Sequence, residues 1–111
     1  MKVIEGTYED LRNLIYKEKF VTVKYYSEDC EKCKVLTDVF KKYSEDKKYS
    51  EILFMRMNSE ENPVAKRLIS EQKLPFMSSF KDGLLIESTT VSSEKEIKKV
   101  LDNLMELTNE K

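Results

Sequence analysis

Residues 20–34, FVTVKYYSEDCEKCK, run from β-branched and aromatic residues almost directly into two closely spaced cysteines. Phe20–Tyr26 has the composition of a strand. Ser27–Asp29 is a brief connection, and from Cys30 to about Lys48 the apolar set Cys33, Leu36, Phe40 and Tyr43 recurs every three or four residues, with Val35 and Val39 widening the stripe. That spacing predicts a helix with one buried face. Two thiols placed so at a helix start are neighbours and can close a disulfide with little backbone movement. The free N–H groups and partial positive charge of the helix N-terminus favour a thiolate at Cys30. Cys30 is then the exposed attacking thiol and Cys33, a turn further in, the resolving one. Lys32 and Lys34 add positive potential, which Glu28, Asp29 and Glu31 oppose. The same four residues could also be half of a zinc site or two core cysteines; the strand before them and the helix after them favour a redox pair.

Composition narrows the chemistry. The chain has 111 residues, 40% hydrophobic and 37% charged, a size and balance that fit one domain over residues 1–111. Its 20 basic and 21 acidic residues are interspersed, without the basic excess or stripe of a nucleic-acid binder. No apolar run approaches the roughly 18 residues of a membrane span, and MKVIEGTYED shows no secretory signal, so a cytosolic address is expected. Histidine is absent, which removes imidazole bases, Cys–His pairs and histidine metal ligands together. With two cysteines, a four-thiolate metal site would need a second chain.

Outward from the cysteines, the pattern alternates. Residues 2–4 suit a short strand. Thr7 and Asp10 resemble a capping pair ahead of Tyr8, Leu11, Leu14 and Ile15 at helical spacing. Ile52–Met57 is a further strand. Cap-type residues at Asn58–Asn62 and Pro63 open another helix, with Val64, Ala65, Leu68 and Ile69 on its apolar side and Glu60-Glu61 as helix-start charges. Phe76–Phe80 and Leu84–Thr90 flank Lys81-Asp82-Gly83, a hairpin signal. Ser93 and Glu96 form a capping box before Ile97, Val100, Leu101, Leu104 and Met105. The order β-α-β-α-β-α-β-β-α predicts an α/β fold, a mixed sheet with helices on both faces. The aromatic residues are spaced as core; Tyr25, Tyr26, Phe76 and Met77 are candidates for the rim of a substrate groove.

Pro75 stands immediately before a strand, where proline removes a ladder donor; an ordinary trans bond at a strand start and a cis bond in a tight turn both fit. Taken in order, the strand leading into Cys30-x-x-Cys33, Asn62-Pro63, Pro75 and Phe80-Lys81-Asp82-Gly83 resemble the thioredoxin family from about Thr7 to Leu107. The resemblance implies a thioredoxin-like fold, a cis Leu74–Pro75 bond packed against the reactive disulfide, and a substrate strand pairing with the backbone of Leu74, beside Phe76 and Val91.

It also implies a protein-disulfide oxidoreductase with catalytic Cys30, Cys33 and Pro75. Such a protein takes electrons from a reductase or another thiol donor, needs no dissociable cofactor or metal, and acts as a monomer. Asp29, Glu31 and Lys32 stand where the family's reductants carry tryptophan, glycine and proline, and Val91 where it keeps a glycine. Lys24 replaces the family's buried acid. Two readings of Lys24 are open: a strand residue whose stem snorkels to solvent, or a cation beneath the pair that, with Lys32, tunes the thiols. Two other functions are compatible with these departures, a non-catalytic interaction or redox-sensing module of the same fold and a metal-bridged dimer.

Overall fold

The computed structural model describes residues 3–27, 30–59 and 75–107. In chain order these form β1 (Ile4–Glu5), α1 (Tyr8–Lys17), β2 (Phe20–Tyr26), α2 (Glu31–Ser44), a 3-10 turn (Lys47–Tyr49), β3 (Ile52–Asn58), β4 (Phe76–Lys81), β5 (Leu84–Thr90) and α3 (Glu94–Glu106). The five strands make one sheet in the order β1-β3-β2-β4-β5. β1 and β2 run parallel to β3, whereas β2–β4 and β4–β5 are antiparallel. This is the mixed sheet expected. The helix anticipated around Pro63, Val64, Ala65, Leu68 and Ile69 lies outside the described residues.

Strand alternation divides the core into two layers. Val21, Val23 and Tyr25 of β2 join Leu53, Met55 and Met57 of β3 and Leu11 of α1 on one face. Phe20 of β2 joins Ile52 and Phe54 of β3, Leu36 and Phe40 of α2, and Ile97, Leu101 and Leu104 of α3 on the other. Helices therefore cover both faces. Among the described residues no helix is long and apolar enough to cross a membrane.

Local chemistry accounts for the element ends. Thr7 and Asp10 close a reciprocal capping box: the Asp10 N–H donates to Thr7 Oγ1 at 3.2 Å, and the Thr7 N–H to Asp10 Oδ2 at 2.9 Å. Ser93 caps α3 by accepting the Glu96 N–H, but the Glu96 carboxylate reaches one residue further back and accepts the Ser92 N–H at 2.7 Å. The capping box expected there is thus only half made. α2 stops at Ser44, short of the expected Lys48, because Asp46 accepts the Lys48 N–H and starts a separate 3-10 turn. That turn seats Tyr49 edge-on against Tyr43. The Tyr43 hydroxyl donates to Glu94 at 2.8 Å and the Tyr49 hydroxyl to Asp102 at 2.6 Å, tying the α2 segment to α3. Of residues 2–4, expected as the first strand, Lys2 lies outside the described residues; the described strand is Ile4–Glu5, where the parallel register joins those two residues to Met55 and Arg56.

The hairpin joining β4 and β5 turns through Asp82 (φ 52°) and Gly83 (φ 85°), both left-handed as a two-residue turn requires. A Cβ on Gly83 would lie 3.1 Å from the Tyr16 ring of α1. Gly83→Ala should therefore lower the unfolding free energy by about 1–2 kcal/mol through the backbone alone. Leu101→Ala, in the fully buried stripe of α3, should cost about 2–5 kcal/mol. Urea unfolding of the two variants measures both effects, and Leu101→Ala should be the more damaging.

Candidate active site

β2 delivers the chain to the site and α2 organises it. Cys30 is the N-cap of α2, with extended backbone at φ −90° and ψ 103°, and its Sγ accepts the N–H of Cys33 at 3.1 Å. A sulfur thus takes the place usually held by a serine or aspartate oxygen, satisfying one of the free N–H groups of the first turn. The Lys34 N–H donates to the Cys30 carbonyl at 3.3 Å, and the Cys30 N–H to the Ser27 carbonyl at 3.2 Å. Cys30 and Cys33 are joined in a disulfide with their Cα atoms 5.2 Å apart. Cys30 is half-buried, whereas Cys33 is 1% exposed. Only Cys30 can be approached from outside.

Lys24 lies directly beneath. It points to the α2 face of the sheet and is 1% exposed, so the snorkelling reading is set aside. Its ammonium donates to the Cys33 carbonyl at 3.3 Å and to Thr37 Oγ1 at 3.4 Å, and sits 5.7 Å from the centre of the Phe40 ring. Thr37 in turn donates to the Cys33 carbonyl at 2.8 Å. Burial, followed by repulsion from the Arg56 guanidinium, lowers the Lys24 pKa from 10.5 to about 8, against a smaller opposing pull from Asp38.

The remaining expected site residues are distributed unevenly. Phe76 pairs with Tyr25, so Pro75 enters the sheet at the end where β2 leaves for Cys30. Pro75 is buried, and its carbonyl accepts the Val91 N–H at 2.9 Å. Phe76 is 4% exposed and packs on Tyr25, while Val91 is 0% exposed and belongs to the α2–α3 core layer. Neither presents its side chain to a substrate. Tyr25 and Met77 are buried as well, which leaves Tyr26 as the partly exposed member of the four rim candidates. Its hydroxyl donates to Glu5 at 2.8 Å. Leu74, the Leu74–Pro75 bond and Asp29 lie outside the described residues, as does the side chain of Lys32. Among the described residues no group of three or more His, Cys, Asp or Glu could hold a metal.

Sequence reasoning did not single out Thr37 or Arg56. Thr37 was within reach, one helical turn after Cys33 and on the same face. Arg56 was not, because its relation to Lys24 comes from the β2–β3 register.

A model of the thioredoxin family matches residues 2–104. No curated protein matches the sequence. Among solved structures, the chain is similar to thioredoxin from Malassezia sympodialis (TM-score 0.83, 17% identity, 95% of each chain covered). It is also similar to thioredoxin from Plasmodium falciparum (0.81, 18%, covering 91% of this chain and 98% of that one). A third neighbour is mitochondrial thioredoxin 3 from Saccharomyces cerevisiae (0.81, 21%, 92% and 95%). At these identities the likeness is one of fold.

The lowered Lys24 pKa has a signed consequence. Below pH about 8 the ammonium is protonated in both folded and unfolded chains, and its burial is a full penalty on folding. Between about 8 and 10.5 the unfolded chain holds the proton more firmly than the folded one, so the penalty is relieved as pH rises. Lys24→Met should be more stable than the parent at pH 7, and the difference should shrink by on the order of 3 kcal/mol by pH 10.5. Paired denaturant titrations at several pH values measure it; a constant difference would mean that Lys24 does not titrate in this window.

Proposed function

Because the chain belongs to the thioredoxin family, we propose that it is a thiol–disulfide oxidoreductase acting on protein disulfides through Cys30 and Cys33. The observation that carries this reading is the asymmetry of the pair: Cys30 caps the helix and is reachable, and Cys33 is sealed beneath it. In the reduced protein the α2 N-terminus stabilises the Cys30 thiolate. That thiolate attacks one sulfur of a substrate disulfide, forms a mixed disulfide and expels the other substrate sulfur as a thiolate. Cys33 then gives up its proton to the expelled substrate thiolate and attacks Cys30 Sγ. The mixed disulfide breaks, the second substrate thiolate leaves, and the Cys30–Cys33 disulfide forms. A thiol donor or reductase returns two electrons to the pair.

Lys24 is the positioning residue for the second half. Its ammonium faces the Cys33 carbonyl, and a cation held there lowers the cost of negative charge on the Cys33 sulfur. The substrate chain is taken to lie extended beside Pro75 and to pair with the backbone of Leu74, because the side chains of Phe76 and Val91 are buried.

Dithiothreitol-driven reduction of insulin should be faster with the protein than without it and should fall to the uncatalysed rate in Cys30→Ser. Cys33→Ser should accumulate mixed disulfides that mass spectrometry detects. An unchanged rate in Cys30→Ser would sink the catalytic reading in favour of a non-catalytic module. Thiol alkylation against pH should show a higher pKa for Cys33 in Lys24→Met than in the parent; superimposed curves would remove Lys24 from the site.

A further inference from the structure

A cavity of about 400 Å³ opens beneath α2, lined in part by Lys24, Thr37, Lys41, Glu5, Glu45 and Arg56. Its volume is in the range of small-molecule sites. Lys24 and Arg56 are register partners on adjacent parallel strands, so their side chains leave the same face of the sheet side by side. Lys41, an exposed residue of α2, joins them in the lining.

Charge in the cavity does not balance. Among the lining residues three cations face two carboxylates, with Asp38 attracting Lys24 more weakly than burial and Arg56 push it down. Glu5 is already engaged: its Oε1 lies 3.3 Å from Arg56 Nε and its Oε2 accepts the hydroxyl of Tyr26, whose ring lies 4.2 Å from Arg56 Cζ. Among the described residues no carboxylate lies within ion-pair distance of Lys24. Its ammonium has three N–H groups and two long contacts, to the Cys33 carbonyl and to Thr37. Arg56 Nε is shielded from solvent and makes no hydrogen bond among the described residues, its contact with Glu5 being one of charge only. Burying a cation without a counter-charge is costly. Here two neighbouring cations repel each other, as the downward push of Arg56 on the Lys24 pKa records.

We propose that this cavity is a binding site for a small oxyanion, seated between Lys24 and Arg56 with Thr37 beside it. A phosphate or a short dicarboxylate fits the volume. Either would supply acceptors to the remaining Lys24 N–H and the Arg56 guanidinium, and would remove their repulsion. A cationic ligand is disfavoured by the charge count, and a neutral one leaves the imbalance in place. Cys30 is not part of the cavity lining, and the site does not depend on disulfide exchange.

Calorimetric titration of the full-length oxidised protein with inorganic phosphate, and separately with succinate, tests this at pH 7 with ionic strength held constant by sodium chloride. Saturable one-to-one binding of at least one of them is expected, and the one that binds identifies phosphate-type or carboxylate-type chemistry. Affinity should fall at least 10-fold in Lys24→Met and in Arg56→Gln, and should be unchanged in Lys95→Met, an exposed lysine on α3 outside the cavity. Thermal unfolding of each variant shows that it is folded, and Arg56→Gln, at a half-exposed position, serves should Lys24→Met fail to fold. Non-saturating heats for both ligands, or equal affinity in the parent and Arg56→Gln, would overturn the proposal.

Discussion

β2 is the strand on which everything else depends. It lies at the centre of the sheet, parallel to β3 on one side and antiparallel to β4 on the other. With helices over both faces, each of its side chains up to Tyr25 is buried. A strand has no freedom in which face it gives to which residue, because successive side chains alternate. Val21, Val23 and Tyr25 are committed to the α1 layer, and Phe20, Thr22 and Lys24 to the layer under α2. Thr22 meets this constraint through its hydroxyl contact with Ser79 at 3.2 Å. Lys24 meets it by reaching α2 and donating to the Cys33 carbonyl. The same strand, ending at Tyr26, sets where the chain turns up into Cys30.

α2 gives the two cysteines different environments. Phe40 packs on Phe54 at 5.1 Å between ring centres, and Tyr43 and Tyr49 reach α3 through Glu94 and Asp102. The helix is held along its length, so its first turn is a stable platform for the cysteines. Helical rotation then separates the two sulfurs in environment: Cys30 is at the cap, at the margin of the fold, and Cys33 faces the sheet above Lys24. The N-terminal end of the helix and the buried ammonium are both positive, and they act on the pair from different directions. The helix end lies at the outer sulfur and the ammonium beside the carbonyl of the inner cysteine.

Burying a lysine at the centre of a small sheet runs against the usual economy of cores. Its cost is moderated, since the ammonium finds a carbonyl, a hydroxyl and an aromatic face. Among the described residues no carboxylate is within ion-pair distance of it, Asp38 acts on it only from further away, and the adjacent Arg56 increases the strain of charge. Such an arrangement costs stability and is expected where a charge serves a site. The cavity beneath α2 lies where the charge is left over.

Much of this was legible in the residue pattern. The strand Phe20–Tyr26, the helix after Cys30, the Asp82-Gly83 hairpin and the capped final helix all follow from local periodicity and turn chemistry, which act within a few residues. The cysteine spacing at a helix start located the disulfide pair for the same reason. The early end of α2 was not legible, because the local pull of Asp46 on Lys48 and the seat of Tyr49 against Tyr43 compete with a continuous helical stripe. The position of Lys24 was legible only as one of two readings, snorkelling to solvent or lying beneath the pair, and the packing of α2 over the strand decided between them. Phe76 and Val91 looked available to a substrate until the packing of both core layers enclosed them. Arg56 entered the site only through the parallel register of β2 and β3. Sequence determined the elements and the cysteine pair because short-range interactions suffice for them. Burial, register and unbalanced charge were decided by tertiary structure, since each depends on residues that meet only when distant segments pack.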